Sequence, residues 1–372
     1  MTVNPLVRLG ELGQSPWLDY ITRDLLQTGE LQRLIAQDGL RGMTTNPTIF
    51  EKAVAGSDRY DTDIRSLADS GLKPGEIFET LAVADVRTAC DMFLPLYRST
   101  NGGDGFVSIE VSPELANDTE GTVREARRLW DSVQRPNVMI KIPGTKEGLP
   151  AITRCLARGL NVNVTLLFSV GRYREVMEAF LTGLEERRAR REPINHIASV
   201  ASFFVSRVDT KLDPVIEKHA DPSVRALRGK IAIANAVVAY DAFEQTFRGP
   251  RWDTLAKSGA PVQRPLWAST STKDPAYRDV HYVEPLIAAH TVNTLPPDTF
   301  KAFGHHGKPQ VSINAAAIAE AKQQLTALAG GGINLEETTQ WLETDGVQKF
   351  KASFTTLLSG VGQKAMALSG AH

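Results

Sequence analysis

Short apolar runs rich in β-branched residues recur along the chain, and stretches with helical spacing lie between them. Eight such runs are expected as strands: 17–21, 42–45, 106–111, 138–142, 162–168, 197–203, 265–270 and 282–287. Val123, Ala126, Trp130 and Val133 show the helical period, as do Val170, Tyr173, Val176, Met177, Phe180, Leu181 and Leu184. Strands alternating with helices imply a parallel sheet. Eight of them favour a closed (β/α)8 barrel over a doubly wound sheet, and no GxGxxG follows the first strand. Two helical stretches exceed the alternation, near 58–98 and near 313–372. No repeat or linker divides the chain, so 1–372 is expected as one barrel with a helical insertion and a C-terminal helical extension.

Within the strands the polar residues keep to one side. Successive side chains alternate between two faces. Val138, Ile140 and Ile142 therefore share a face suited to packing on helices, while Met139 and Lys141 point the other way. Glu110 lies opposite the apolar odd positions of 106–111. Asn163 and Thr165 lie opposite Val162, Val164, Leu166 and Phe168, and Asp19 lies opposite Leu18 and Tyr20. Each alone has an ordinary structural explanation, such as a snorkelling lysine, its ion-pair partner, a cap or satisfied buried polars. Their convergence near the C-terminal strand ends, where barrels carry their chemistry, does not.

Composition narrows the field of partners. With 42 Lys+Arg against 43 Asp+Glu the net charge is -1, so no global field recruits nucleic acid or an anionic membrane. No run approaches the roughly 20 apolar residues that span a bilayer, and the first residues lack a signal-peptide core, which suggests a cytoplasmic protein. Cys90 and Cys155 have no CxxC partner and read as reduced thiols. The arginine-rich run 185–192 reads as a solvated helix end, and His305 and His306 as surface residues of a glycine-flanked loop. No metal or organic cofactor is expected, since Asp19, Glu110, Lys141, Asn163 and Thr165 make a poor metal cage.

A lysine amine enclosed by barrel walls loses hydration, which favours its neutral, nucleophilic form. Such an amine forms imines with carbonyl compounds, and a protonated imine draws electrons from a carbon–carbon bond two atoms away. Glu110 and Asp19 are the candidate proton carriers. Ser202, Arg207 at an expected helix start, and Lys273 after the seventh strand suggest an anion site of the kind barrels build after their late strands. The alternatives are a pairing of Arg207 with Asp209 or Asp213, and Lys273 as loop charge.

At these residues the chain resembles the transaldolase family, over roughly 17–296. The matching motifs are Met43-Thr-Thr-Asn-Pro47, Ser108-Ile-Glu-Val111, Met139-Ile-Lys-Ile-Pro143, Asn163-Val-Thr-Leu-Leu-Phe-Ser169 and Ser202-Phe-Phe-Val-Ser-Arg207. Leu266-Trp-Ala-Ser-Thr270 and the segment from Tyr282 to Pro296 resemble the larger bacterial branch. The resemblance implies a Schiff base on Lys141, proton transfer at the C4 hydroxyl by Asp19, and a water held by Glu110 and Thr165. It further implies substrate binding by Thr44, Asn46, Asn163 and Phe204, and phosphate binding by Ser202, Arg207 and Lys273. Lys273 stands where shorter members carry arginine, and Ser271 where this branch carries glycine.

The implied reaction moves a dihydroxyacetone unit from sedoheptulose 7-phosphate or fructose 6-phosphate to glyceraldehyde 3-phosphate or erythrose 4-phosphate, within the non-oxidative pentose phosphate pathway. A lyase resembling fructose 6-phosphate aldolase is the alternative. Those enzymes are shorter and carry glutamine and tyrosine where this chain has Glu110 and Phe204. A barrel that binds sugar phosphates without turnover is a third reading, since fold alone does not define function.

Overall fold

The computed structural model describes residues 4–369, and its eight strands close into a barrel in sequence order. They are β1 (Gln14–Asp19), β2 (Gly42–Thr44), β3 (Phe106–Glu110), β4 (Val138–Pro143), β5 (Val162–Leu167), β6 (Ser199–Phe204), β7 (Arg264–Ala268) and β8 (Thr291–Leu295). All neighbours pair in parallel, and β8 closes against β1. Val138, Ile140, Ile142, Val162 and Val164 are fully buried between the strands and the surrounding helices. Burying each such side chain is worth about 1.5–3 kcal/mol. Inside, the Trp17 indole lies beside Phe106, ring centroids 6.4 Å apart. A Cβ at position 42 would stand 2.5 Å from the indole, so Gly42 makes room for it.

The strands expected from 17–21 to 265–270 correspond to β1–β7, with ends displaced by up to three residues. The eighth expectation is overturned. Residues 282–287 form no strand; Glu284–Leu286 is a 3-10 turn, and the closing strand is Thr291–Leu295. Pro285 cannot donate to a sheet ladder, whereas the later segment pairs without interruption from Gln14 to Leu18.

A second correction concerns β5. Its pairing with β6 shifts between Val164 and Leu167, and Leu166 adopts a left-handed backbone at φ 61°. The bulge breaks the alternation, so Leu166 does not continue the helix-facing row of Val162 and Val164. It meets the C-terminal helix Leu335–Ser369, where a Cβ on Gly346 would stand 3.1 Å from Leu166 Cδ2.

That helix covers one side of the barrel's C-terminal opening. Thr48 donates to Ser353 Oγ at 2.9 Å, Lys364 donates to the Val54 and Ser57 carbonyls at 2.9 and 2.6 Å, and Arg172 pairs with Glu343 at 3.4 Å. Helices Asp61–Asp69 and Pro74–Ser99 precede β3, and Ala315–Gly330 precedes the C-terminal helix. His305 and His306 end the helix Pro297–His306 instead of occupying a loop. The run 185–192 is partly docked, with Arg187 donating to the carbonyls of Ala157 and Pro193. Cys90 and Cys155 are buried free thiols. Among the described residues no helix is long and apolar enough to cross a membrane.

Candidate active site

Strand register sets the polar residues side by side. Glu110 is opposite Lys141 across β3 and β4, Lys141 is opposite Asn163 across β4 and β5, and Asp19 is opposite Thr44 across β1 and β2. Thr165 is opposite Pro143, one layer nearer the opening. Lys141 is 4% exposed; its Nζ donates to the Thr45 carbonyl at 3.0 Å and stands 3.5 Å from Glu110 Oε2. Above it the Phe350 ring centroid lies 5.7 Å from Nζ.

Both carboxyls hold their protons more firmly than exposed ones. Burial raises Glu110 to about 7, opposed by the Lys141 charge and contact and aided by Asp19. Burial also raises Asp19, opposed by Lys141, by the Thr44 hydrogen bond and by Arg207. Thr44 Oγ1 donates to Asp19 Oδ1 at 2.6 Å and lies 2.6 Å from Thr294 Oγ1, which fixes the carboxyl's orientation. The Glu110 oxygens and Thr165 Oγ1 are buried without a hydrogen-bond partner. Two carboxyls, each made a weaker acid by burial, thus flank one amine.

A cavity of about 470 Å³ opens above Lys141, lined also by Asp19, Thr44, Asn46, Thr165 and Ser202. Farther out its wall carries Lys52, Arg207 and Lys273. Arg207 follows β6 in the first turn of the helix Ser206–Glu217 and lies over the Phe204 ring at 5.2 Å. Its Nη1 is buried with no partner. Asp209 and Asp213 do not pair with it: Asp209 accepts from Ala232 N and Tyr282, and Asp213 from Gly229 N and Tyr277. Lys273 donates to Ser271 Oγ at 2.6 Å; burial, then Arg207, then Lys52 lower its pKa. Like charges crowd there, and although Asp345 and Asp19 act on Arg207 from nearby, neither forms an ion pair with it, an arrangement that suits an anion.

Not every expected residue faces this cavity alike. Asn163 is fully buried, donating to Ser108 Oγ at 2.9 Å and accepting from Ser202 at 2.7 Å, so Ser202 belongs to the interior layer with Asn163. The Oδ1 of Asn46 caps the helix Pro47–Ala55 through Ile49 N at 3.0 Å, leaving its amide N–H groups to offer a ligand. Among the lining residues that escaped sequence reasoning are Lys52, Phe350 and Thr294. Lys52 had a usable signal, since it lies four residues after Thr48 on the same helix face. Among the described residues no three His, Cys, Asp or Glu side chains group as a metal cage.

Fold and site together define a (β/α)8-barrel enzyme with its polar centre at the C-terminal ends of the strands. Residues 16–361 match the family model described as Transaldolase/Fructose-6-phosphate aldolase. The chain is 50% identical to a transaldolase of Acidothermus cellulolyticus over 358 residues, 96% of each chain. It is 48% identical to one of Frankia alni over 361 residues, 97% of each, and 45% identical to one of Trichodesmium erythraeum over 379 residues, covering 99% of this chain and 100% of the relative. The chain belongs to the transaldolase/fructose-6-phosphate aldolase family.

Proposed function

We propose that this chain, a transferase of the transaldolase kind, works through a Schiff base on Lys141. The Lys141 amine attacks the C2 carbonyl of a ketose phosphate, and loss of water from the carbinolamine leaves an iminium. Glu110, through a water shared with Thr165, carries the protons of that exchange. Asp19 takes the proton of the C4 hydroxyl, the C3–C4 bond breaks, and its electron pair passes into the iminium to give an enamine. The aldose phosphate departs. An acceptor aldehyde then binds, the enamine carbon attacks it, Asp19 returns the proton to the new hydroxyl, and hydrolysis frees the new ketose phosphate.

Thr44, Asn46 and Asn163 orient the dihydroxyacetone end, with Asn163 held in place by Ser108 and Ser202. Phe204 backs the guanidinium of Arg207, which binds the phosphate with Lys273 and Lys52. Sedoheptulose 7-phosphate and fructose 6-phosphate serve as donors, glyceraldehyde 3-phosphate and erythrose 4-phosphate as acceptors, in the cytoplasm.

The observation that carries this proposal is the buried Lys141 amine, 3.5 Å from Glu110, at the base of a cavity whose outer wall holds three cations. Borohydride added with fructose 6-phosphate is expected to inactivate the enzyme and add a sugar-derived mass at Lys141, read by peptide mass spectrometry. Lys141→Ala is expected to lose at least about 10³-fold in kcat, the scale of losing an essential nucleophile. Mass added elsewhere, or an active Lys141→Ala, overturns the mechanism.

A further inference from the structure

The C-terminal helix Leu335–Ser369 reaches the centre of the site through one side chain. Phe350 is 7% exposed, lines the cavity, and sets its ring 5.7 Å from Lys141 Nζ. The helix that carries it is fastened on several sides. Ser353, one turn on, accepts from Thr48; Lys351 pairs with Glu114 at 3.5 Å; Lys364 holds the carbonyls of Val54 and Ser57. At Gly346, one turn before Phe350, the helix comes close enough to Leu166 that a Cβ would stand 3.1 Å from it. An aromatic face is thus held over the amine by a helix packed too closely to drift.

The chemistry of a transferase gives that ring a task. After the aldose leaves, the enamine on Lys141 has two fates. It attacks an acceptor aldehyde, or its carbon takes a proton and the resulting iminium adds water, releasing free dihydroxyacetone and the lysine amine. The second fate begins when the enamine carbon takes a proton from solvent water; the water held by Glu110 and Thr165 hydrolyses the iminium in either fate. An apolar ring over the nitrogen keeps solvent water from that carbon, and its quadrupole favours the cationic iminium through which the enamine is made and consumed. We infer that Phe350 of the C-terminal helix is the shield that commits the three-carbon unit to transfer instead of release. The inference rests on the imine at Lys141 proposed above.

The test is the partition of fructose 6-phosphate cleavage between transferred and free dihydroxyacetone, measured in the full chain with and without erythrose 4-phosphate. Phe350→Ala is expected to raise the released fraction at least about tenfold, and Phe350→Leu to raise it less. Gly346→Leu keeps Phe350 but pushes the helix outward against Leu166, and is expected to move the partition the same way. Borohydride trapping at Lys141 is run on all three. Loss of trapping in the wild type sinks the imine itself. Retained trapping, with transfer and release falling by the same factor in Phe350→Ala and Phe350→Leu, overturns the shield and leaves the imine standing. Should Phe350→Ala fail to fold, the Leu variants carry the same readout.

Discussion

The two ends of the barrel use the same residue types in opposite ways. At the floor, Arg264 donates to Asp104 Oδ1 and the Gly103 carbonyl at 3.1 Å, and to Ser15 Oγ and the Thr291 carbonyl at 2.6 Å. Arg41 reaches the other Asp104 oxygen at 3.1 Å. At the mouth, Arg207 Nη1, both Glu110 oxygens and Thr165 Oγ1 are buried without a hydrogen-bond partner, Glu110 facing only Lys141 Nζ at 3.5 Å. A buried polar group left unpaired costs about 1–3 kcal/mol, more if charged. The floor closes its charges on one another, its unbonded atoms such as Trp17 Nε1 being neutral, whereas the mouth leaves ionisable groups unbonded where a substrate can offset the cost. Residue type and depth do not separate structural from functional charge here. Completeness of pairing does.

The sharpest way to break the comparison sets Glu110 against Asp104. If Glu110 carries protons, Glu110→Gln is expected to lower kcat by about 10²–10⁴-fold, the range of general acid–base catalysis. Because burial raises its pKa to about 7, the wild-type rate should bend near pH 7 and the variant's should not. Stability follows with a definite sign. Between the ordinary value of 4.5 and about 7 the folded chain keeps a proton that the unfolded chain releases, so stability falls as pH rises through that window. Glu110→Gln should flatten this slope in urea titrations. Asp104→Asn should lose stability while leaving the pH–rate profile alone; a shifted profile there would undo the division.

The arginines make the second contrast. Arg207→Met is expected to lower kcat/KM for phosphorylated substrates about 10–100-fold, matching the roughly 1.5–3 kcal/mol of a hydrogen bond to a charged group. Its urea midpoint should hold or rise, since Nη1 has no bond to lose and Met still packs on Phe204. Arg264→Met should do the reverse, losing about 2–3 kcal/mol as Asp104, Ser15 and Thr291 lose its donors, with kcat at 25 °C retained. Equal stability losses in both variants would show that pairing in the free protein is a poor guide to role.

Much of this was legible before any coordinates, for a physical reason. Strand alternation is rigid, so the faces of Asp19, Glu110 and Lys141 could be read two residues at a time, and the parallel register then brought them together. The same rule misled at Leu166, because a bulge resets parity and leaves no sign in residue type. At 282–287 β-branched composition outweighed Pro285, although the missing N–H was visible. Thr294 was lost with the misplaced eighth strand, and Phe350 was out of reach, since what joins it to Lys141 is docking between segments distant in the chain. Pairing was also unreadable: Arg264 and Arg207 look alike as letters, and only their surroundings distinguish them.

Lys52 gives the smallest and finest test of the contrast. It is exposed, lines the same cavity wall as Arg207 and Lys273, and its charge helps lower the pKa of Lys273. Water screens it, so its share of phosphate binding should resemble that of a surface ion pair, about 0.2–1 kcal/mol. Lys52→Gln is therefore expected to raise KM for phosphorylated acceptors about two- to fivefold at low salt, with kcat unchanged. The effect should shrink as ionic strength rises and the Debye length falls toward about 3 Å at 1 M. Unphosphorylated glyceraldehyde should be used equally well by both proteins. If both acceptors suffer alike, Lys52 supports the helix Pro47–Ala55 and its Asn46 cap instead of meeting phosphate, and the cations at the mouth lose one member.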